Sequence, residues 1–524
     1  MRNAIVAAAL ALFVASAGQS LAAEDGTGIN APALFSEHCA SCHGADRLGG
    51  TGPALLPENL GRLSPKGAAE VITKGRGQTQ MPAFGDKLAA GEIEALAKFV
   101  YAPLAEMPVW GEAEIAASRS INADAPKADK PQFDADPLNL FVVVETGDHH
   151  ATILDGDTFE PMTRFATRFA LHGGPKFTPD GRYVFFMSRD GWVMKYDLWT
   201  LNVIGEVRAG INSRNIAISK DGKHLAVANY LPHSLVVLST ADLTVEKTFK
   251  VEDQKGNSSR VSAVYQAPQR DSFIAALKDV AEIWEIATDP NAPPVFTGLV
   301  HSYEKGMVEA LPSSSGLFAL TRIPVAEPLD DFFFDPEYKH LIGSARSGTY
   351  ASVVNLTVRK EVARIDLPGL PHLGSGISWK WQGHDVMATP HLKEGKVSII
   401  DMTTWKVIKT LDTLGPGFFM RSHENSDFAW VDVFFGANKD VMHIIDKRSL
   451  EIVRTLKPEP GKTVAHVEFD RDGRHALVSI WEDDGAVIVF DAQSLEEIKR
   501  IPMSKPSGKY NVWNKITFSE GTSH

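Results

Sequence analysis

The chain has 524 residues, 44% of them hydrophobic and 23% charged, with a formal charge of −12 at neutral pH. That acidity excludes a nucleic-acid binder, which needs a dense basic face to displace counterions from phosphates. Two cysteines exclude a disulfide-built fold, and the length exceeds one ordinary core unless repeats extend it.

In chain order, Arg2, the apolar run from Ala4 to Ala17 and the small residues of Ser20-Leu21-Ala22 predict a cleaved secretory signal at 1–22 and a periplasmic product. No later stretch approaches the roughly 20 apolar residues of a membrane helix, so no stable membrane insertion is expected. Cys39-Ala40-Ser41-Cys42-His43 is a CxxCH motif. Two thiols within one helical turn can add to the vinyl groups on one edge of a porphyrin, and the adjacent histidine then reaches the iron. A zinc site would need two further ligands of matching spacing, and a thioredoxin-type pair would follow a strand of a βαβ unit. Neither is present, so one covalent haem c per chain is expected, held by Cys39 and Cys42 with His43 on the iron. Met81, before Pro82 and the predicted helix from Leu88 to Phe99, is the candidate second axial ligand. The alternative for Met81 is simple core packing. Residues 31–105 resemble an all-α class I cytochrome c, and the polar, Pro- and Ala-rich stretch 106–137 reads as a linker.

From residue 138 to 524 one pattern recurs: apolar residues, an Asp or its stand-in, a few polar residues, then a short alternating strand. Clear copies surround Asp155, Asp197, Ser239, Asp401, Asp446 and Asp491, with weaker ones at Ile286 and Asn355. Clear neighbours are roughly 42 to 45 residues apart, the period of propeller blades. Eight units predict an all-β eight-bladed propeller. Asp-Gly turns at Asp180-Gly181, Asp221-Gly222 and Asp472-Gly473 predict hairpins. The long spacing between Ile286 and Asn355 predicts a loop at His301–Glu327, expected on the binding face. The strand running into each Asp-Gly turn should be innermost, so His172, Arg214 and His466, with Arg260 and His372 in comparable places, should open onto the central funnel.

A haem c unit feeding an eight-bladed propeller, with His172 in Leu171-His172-Gly173-Gly174-Pro175, resembles the cytochrome cd1 nitrite reductases, whose propeller holds haem d1. In that family the residue at the His172 position is the proximal d1-iron ligand, and paired histidines above the iron protonate nitrite. The chain departs from that pattern at Pro328–Phe334, which has no histidine, while His372 in Leu370-Pro371-His372-Leu373 stands for the other member. The stretches LHGGPKF, VANYLPH, SSRVSAVY, LDDFFFD, LPHLGSG, GPGFFMRSHENS and PSGKYNVWNK are similar to the dihydro-haem d1 dehydrogenases. Those oxidise a propionate side chain to an acrylate in the last step of haem d1 assembly. The resemblance implies dihydro-haem d1 as bound substrate and haem d1 as product, His172 and His372 on the d1-type iron, and His466 and Tyr510 as catalytic residues. It also implies Arg214, Arg260 and Arg421 on the tetrapyrrole carboxylates, an external periplasmic electron acceptor, and a cytochrome cd1 nitrite reductase as recipient of the product. Two further readings stay open: a nitrite reductase releasing NO, and a carrier that holds haem d1 without chemistry.

Overall fold

The structure is a computed structural model describing residues 28–50, 52–60, 63–75, 81–106, 108–171, 174–296, 313–518 and 520–522. The expected signal segment, His172 and residues 301–312 of the expected loop lie outside the described residues.

Asn30 opens the first helix, Ala31–His38, by accepting the Ala33 amide, with Pro32 in the first turn where its missing N–H costs nothing. The CxxCH segment continues as the short helix Ala40–His43. Helices Pro65–Lys74 and Ala90–Tyr101 pack with it around Phe35, Phe84, Leu88, Ile93, Leu96 and Val100. Buried Arg47 donates to the carbonyls of Phe99 and Ala102, so a cation closes the C-terminal end of the last helix.

Eight antiparallel sheets of four or five strands follow. Seven are consecutive in sequence, and the eighth is closed by the chain's end. The C-terminal strand Pro506–Asn511 pairs with Phe141–Glu145, so it becomes the inner strand of the first blade. The recurrent Asp has a local cause. At the end of seven of the eight third strands its carboxylate, or the side chain of Asn355 or Ser239, accepts amides two to three residues on, as Asp401 does from Thr403 and Thr404, and in the blade of Glu282–Ala287 Asp289 just beyond the strand accepts from Asn291. A residue at positive φ completes the turn, among them Leu201, Leu243, Trp405, Leu450 and Leu495. The Asp-Gly turns each follow an innermost strand, with Gly181, Gly222 and Gly473 at φ between 71° and 73°.

Two expectations are corrected. Leu320–Pro324, expected within a loop, is the outer strand of its blade, paired with Glu282–Ala287. The segment therefore joins a third strand to a fourth, and its two described ends leave and re-enter the blade at the end that carries the Asp-Gly turns, opposite the end where the inner strands begin. Nor is 106–137 a free tether. Glu112–Ser118 is a helix burying Ile115 against Phe185, Val207 and Leu225, and Ser120–Ile121 adds a fifth strand beside Asn202–Arg208. Its polar composition fits a helix that buries only Ile115 and a strand whose two residues are both exposed.

Candidate functional site

The cytochrome unit sits on the funnel face of the propeller. Asp190 accepts from the Ala54 amide and from the Asn59 side chain, each at 3.3 Å. Arg208 donates to the Leu48 carbonyl at 2.6 Å, and Asn212 to that of Glu58 at 2.8 Å. Ala54, Leu56, Ile211 and Leu231 fill the seam. Burial pushes the Asp190 carboxyl up to about 6, against the pull of Arg208.

His43 is buried, and its Nδ1 donates to the Pro53 carbonyl at 2.8 Å, leaving Nε2 for a ligand. This is the usual second partner of a metal-bound imidazole. A Cβ on Gly52 would lie 2.9 Å from that ring, so only glycine admits the close approach. Gly50 and Gly52 share a small cavity with Arg168, Phe169, Ser188 and Trp192, so the His43 ring is one residue from the propeller rim. Cys39 and Cys42, both half-buried, precede His43 in the same motif. Met81 packs on the Phe35 cluster, held there by the amides of Phe84 and Gly85 on Ile72 and Thr73.

Across the funnel, four blades contribute one continuous aromatic wall. His372 lies 4.3 Å from Phe418 between ring centroids, Phe418 lies 4.5 Å from Phe419, Phe419 lies 4.9 Å from His466, and His466 lies 5.3 Å from Tyr510. Three residues named from sequence are thus brought together by two that were not. His372 Nδ1 donates to the Phe418 carbonyl at 2.6 Å, and its Nε2 lies 3.8 Å from Asp331 Oδ2. Burial lowers its pKa, so the ring is neutral at neutral pH. His466 stands at a bulge in Val464–Phe469, with φ +49°. A bulge re-aims one side chain, and a histidine held at positive φ is the kind of local cost found at functional sites. Its Nδ1 receives the Lys509 amide at 3.4 Å, which leaves Nε2 for a substrate. Burial, then the charges of Lys509, Lys515 and Arg421, hold His466 well below the usual imidazole value. Burial raises the Tyr510 phenol, so it stays protonated. A Cβ on Gly174 would lie 3.1 Å from the Tyr510 ring, so the backbone there passes close to the wall.

The arginines divide. Arg214 donates Nε to the Ser262 carbonyl at 3.1 Å beside Asp331, Tyr230 and Tyr265. Arg260 makes two bonds to Asp279, at 2.9 and 2.6 Å, while lying over Tyr230 at the rim. Arg421 is buried on Glu468, with Nη2 donating to both carboxylate oxygens at 2.7 Å and Nε to one of them at 3.2 Å, so its guanidinium faces a protein carboxylate where a substrate one was expected. The sequence pattern of an Arg near a blade turn is the same in each case, and only the partner separates them.

Comparisons with known proteins bear on this arrangement. The family model described as cytochrome D1 heme domain matches residues 135–298 and 313–515, and that of the cbb3-type cytochrome c oxidase subunit III matches 30–100. A dihydro-heme d1 dehydrogenase of Pseudomonas aeruginosa is 52% identical over 94% of this chain and 95% of its own length. The chain belongs to the dihydro-haem d1 dehydrogenase family. A solved structure in that family, the dehydrogenase in complex with DHE, superposes with a TM-score of 0.86 at 51% identity, covering 92% of this chain and 99% of the other. A nitrite reductase of Stutzerimonas stutzeri is more distant, 24% identical over 92% of each chain. The chain thus joins a cytochrome c-type unit to a d1-type propeller. No helix among the described residues is long and apolar enough to cross a membrane.

Proposed function

We propose that the chain is a periplasmic dihydro-haem d1 dehydrogenase that converts a propionate side chain of its tetrapyrrole to an acrylate. The observation carrying this reading is the wall from His372 to Tyr510 under a docked cytochrome unit. His172 and His372 hold the tetrapyrrole iron from its two sides, which brings the reacting side chain to His466 and Tyr510, and Arg214 meets a carboxylate at the edge. Taking two hydrogens from the –CH2–CH2– unit releases two protons and two electrons. One of these protons leaves to solvent, and His466, held neutral, accepts the other at Nε2. Doing so through the other tautomer gives up the 3.4 Å contact from Lys509, a loss of no more than about 0.5–1.5 kcal/mol. Protonated Tyr510 orients the carboxylate or relays the proton.

Cys39 and Cys42 would hold a covalent haem c, with His43 and Met81 as the residues offered to its iron, and that group would supply one-electron acceptance. The two electrons therefore leave in sequence to an external periplasmic acceptor, and the product passes to a cytochrome cd1 nitrite reductase. Asp331, already accepting from Tyr265 and Gly374, occupies the histidine-free stretch, which leaves the nitrite reductase reading second. The test is anaerobic incubation with dihydro-haem d1 and mass analysis of the extracted tetrapyrrole. A product lighter by two hydrogens is expected, whereas recovery of unchanged substrate leaves the carrier reading.

A further inference from the structure

Both histidines of the wall hang from one buried acid. Asp432 ends the strand Phe428–Asp432, fully buried, and its two oxygens are divided. Oδ1 accepts the amides of Phe418 at 2.7 Å and Phe419 at 3.0 Å, and Oδ2 accepts the amide of His466 at 3.3 Å. The Phe418 peptide that Asp432 holds by its N–H offers its carbonyl to His372 Nδ1. A carboxylate is suited to this place because it is an acceptor at both oxygens, and three amides of two separate segments converge on it. Burial pushes this carboxyl up to about 7, while the three amides and the charge of Lys509 pull it back toward the form that accepts at both oxygens, and Oδ2 holds the His466 amide at the residue's positive φ. Lys509, whose Nζ donates to the His466 carbonyl and to Ser479, braces the same residue from the other side.

We propose that Asp432 is a positioning residue that fixes the distance between the iron-side histidine, His372, and the proton-accepting histidine, His466. The inference rests on the dehydrogenase reading. Iron ligation sets where the macrocycle lies, and His466 must meet one methylene of one side chain. A shared anchor keeps the two in register as the funnel fills.

Asp432→Asn separates the functions of its two oxygens. An amide keeps one acceptor, which the two Phe418 and Phe419 amides claim, and turns an NH2 toward the His466 N–H. The iron side is then retained and the His466 side is lost. The experiment compares wild type, Asp432→Asn and Asp432→Ala by spectral titration with dihydro-haem d1, electron paramagnetic resonance of the bound iron, and anaerobic single-turnover reduction of haem c. Asn should leave affinity and the axial-ligand signal unchanged and slow turnover about 10–100-fold, the usual cost of a lost outer partner. Ala should also alter the axial signal and weaken binding. Wild-type turnover in Asp432→Asn overturns the proposal, as does an axial signal in Asp432→Ala identical to wild type. If Asp432→Ala does not fold, the isosteric Asn variant decides alone. Failure of the wild-type protein itself to bind or oxidise the substrate sinks the dehydrogenase reading, an outcome distinct from equal behaviour of wild type and Asn.

Discussion

Replacing His466 by alanine should separate chemistry from binding more sharply than any other change in the funnel. The imidazole stands half-buried on the wall and not inside a blade, with its ring contacts made to Phe419 and Tyr510. Losing two aromatic contacts costs about 0.5–1.5 kcal/mol each. Alanine is somewhat less at home at positive φ than histidine, but the roughly 1–2 kcal/mol cost of one left-handed residue bounds the difference, so the propeller stays folded. Affinity comes from iron ligation and carboxylate contacts elsewhere and should change little. The rate should not survive, because a positioned general base contributes about 10²–10⁴-fold, or about 3–5 kcal/mol of barrier. The Lys509 contact that must be given up for Nε2 to act is far smaller than this. Tyr510→Phe should slow turnover in the same way. If the two residues serve one proton path, the double variant should be little worse than the poorer single one. The assay is anaerobic stopped-flow reduction of haem c by bound dihydro-haem d1, paired with a spectral titration. A wild-type rate in His466→Ala, or a loss explained wholly by weaker binding, refutes the reasoning.

Met81→Ala should leave haem c attached but lower its potential and abolish the weak near-infrared sulfur-to-iron band of the oxidised protein; persistence of that band removes Met81 from the iron. His172→Ala and His372→Ala should each weaken tetrapyrrole binding in a spectral titration without loss of the folded propeller, and unchanged affinity in both contradicts iron ligation. The pH dependence follows from the lowered pKa of His466. Its neutral form persists below 6.5, so the single-turnover rate should hold as pH falls through that value and decline only beneath it. A limb at or above 6.5 contradicts the buried base.

The CxxCH motif, the blade period and the inner strands were legible because each has a local physical cause. Thiol spacing makes the first, the side chains that cap each third strand make the second, and the Asp-Gly turns mark the third. Closure was not. Pro506–Asn511 pairs with Phe141–Glu145 across nearly the whole propeller, and no periodicity marks a strand that finishes a blade begun hundreds of residues earlier. The wall was half legible: polar His372, His466 and Tyr510 signal chemistry, while Phe418 and Phe419 read as ordinary core aromatics in the GPGFFM stretch. Asp432 gave no signal either, because an acid at the end of an apolar strand usually faces solvent. Arg421 shows the converse. Its residue type suited a substrate clamp, and its partner, Glu468, lies 47 positions away.

The central claim is that electrons leave the tetrapyrrole through haem c, across the seam where Gly52 separates His43 from the propeller rim. Anaerobic mixing of oxidised protein with limiting dihydro-haem d1, without any external acceptor, tests it directly by following the reduced haem c bands. Each substrate should reduce the haem c of two chains as the acrylate product forms. Formation of that product while haem c stays oxidised would contradict the account.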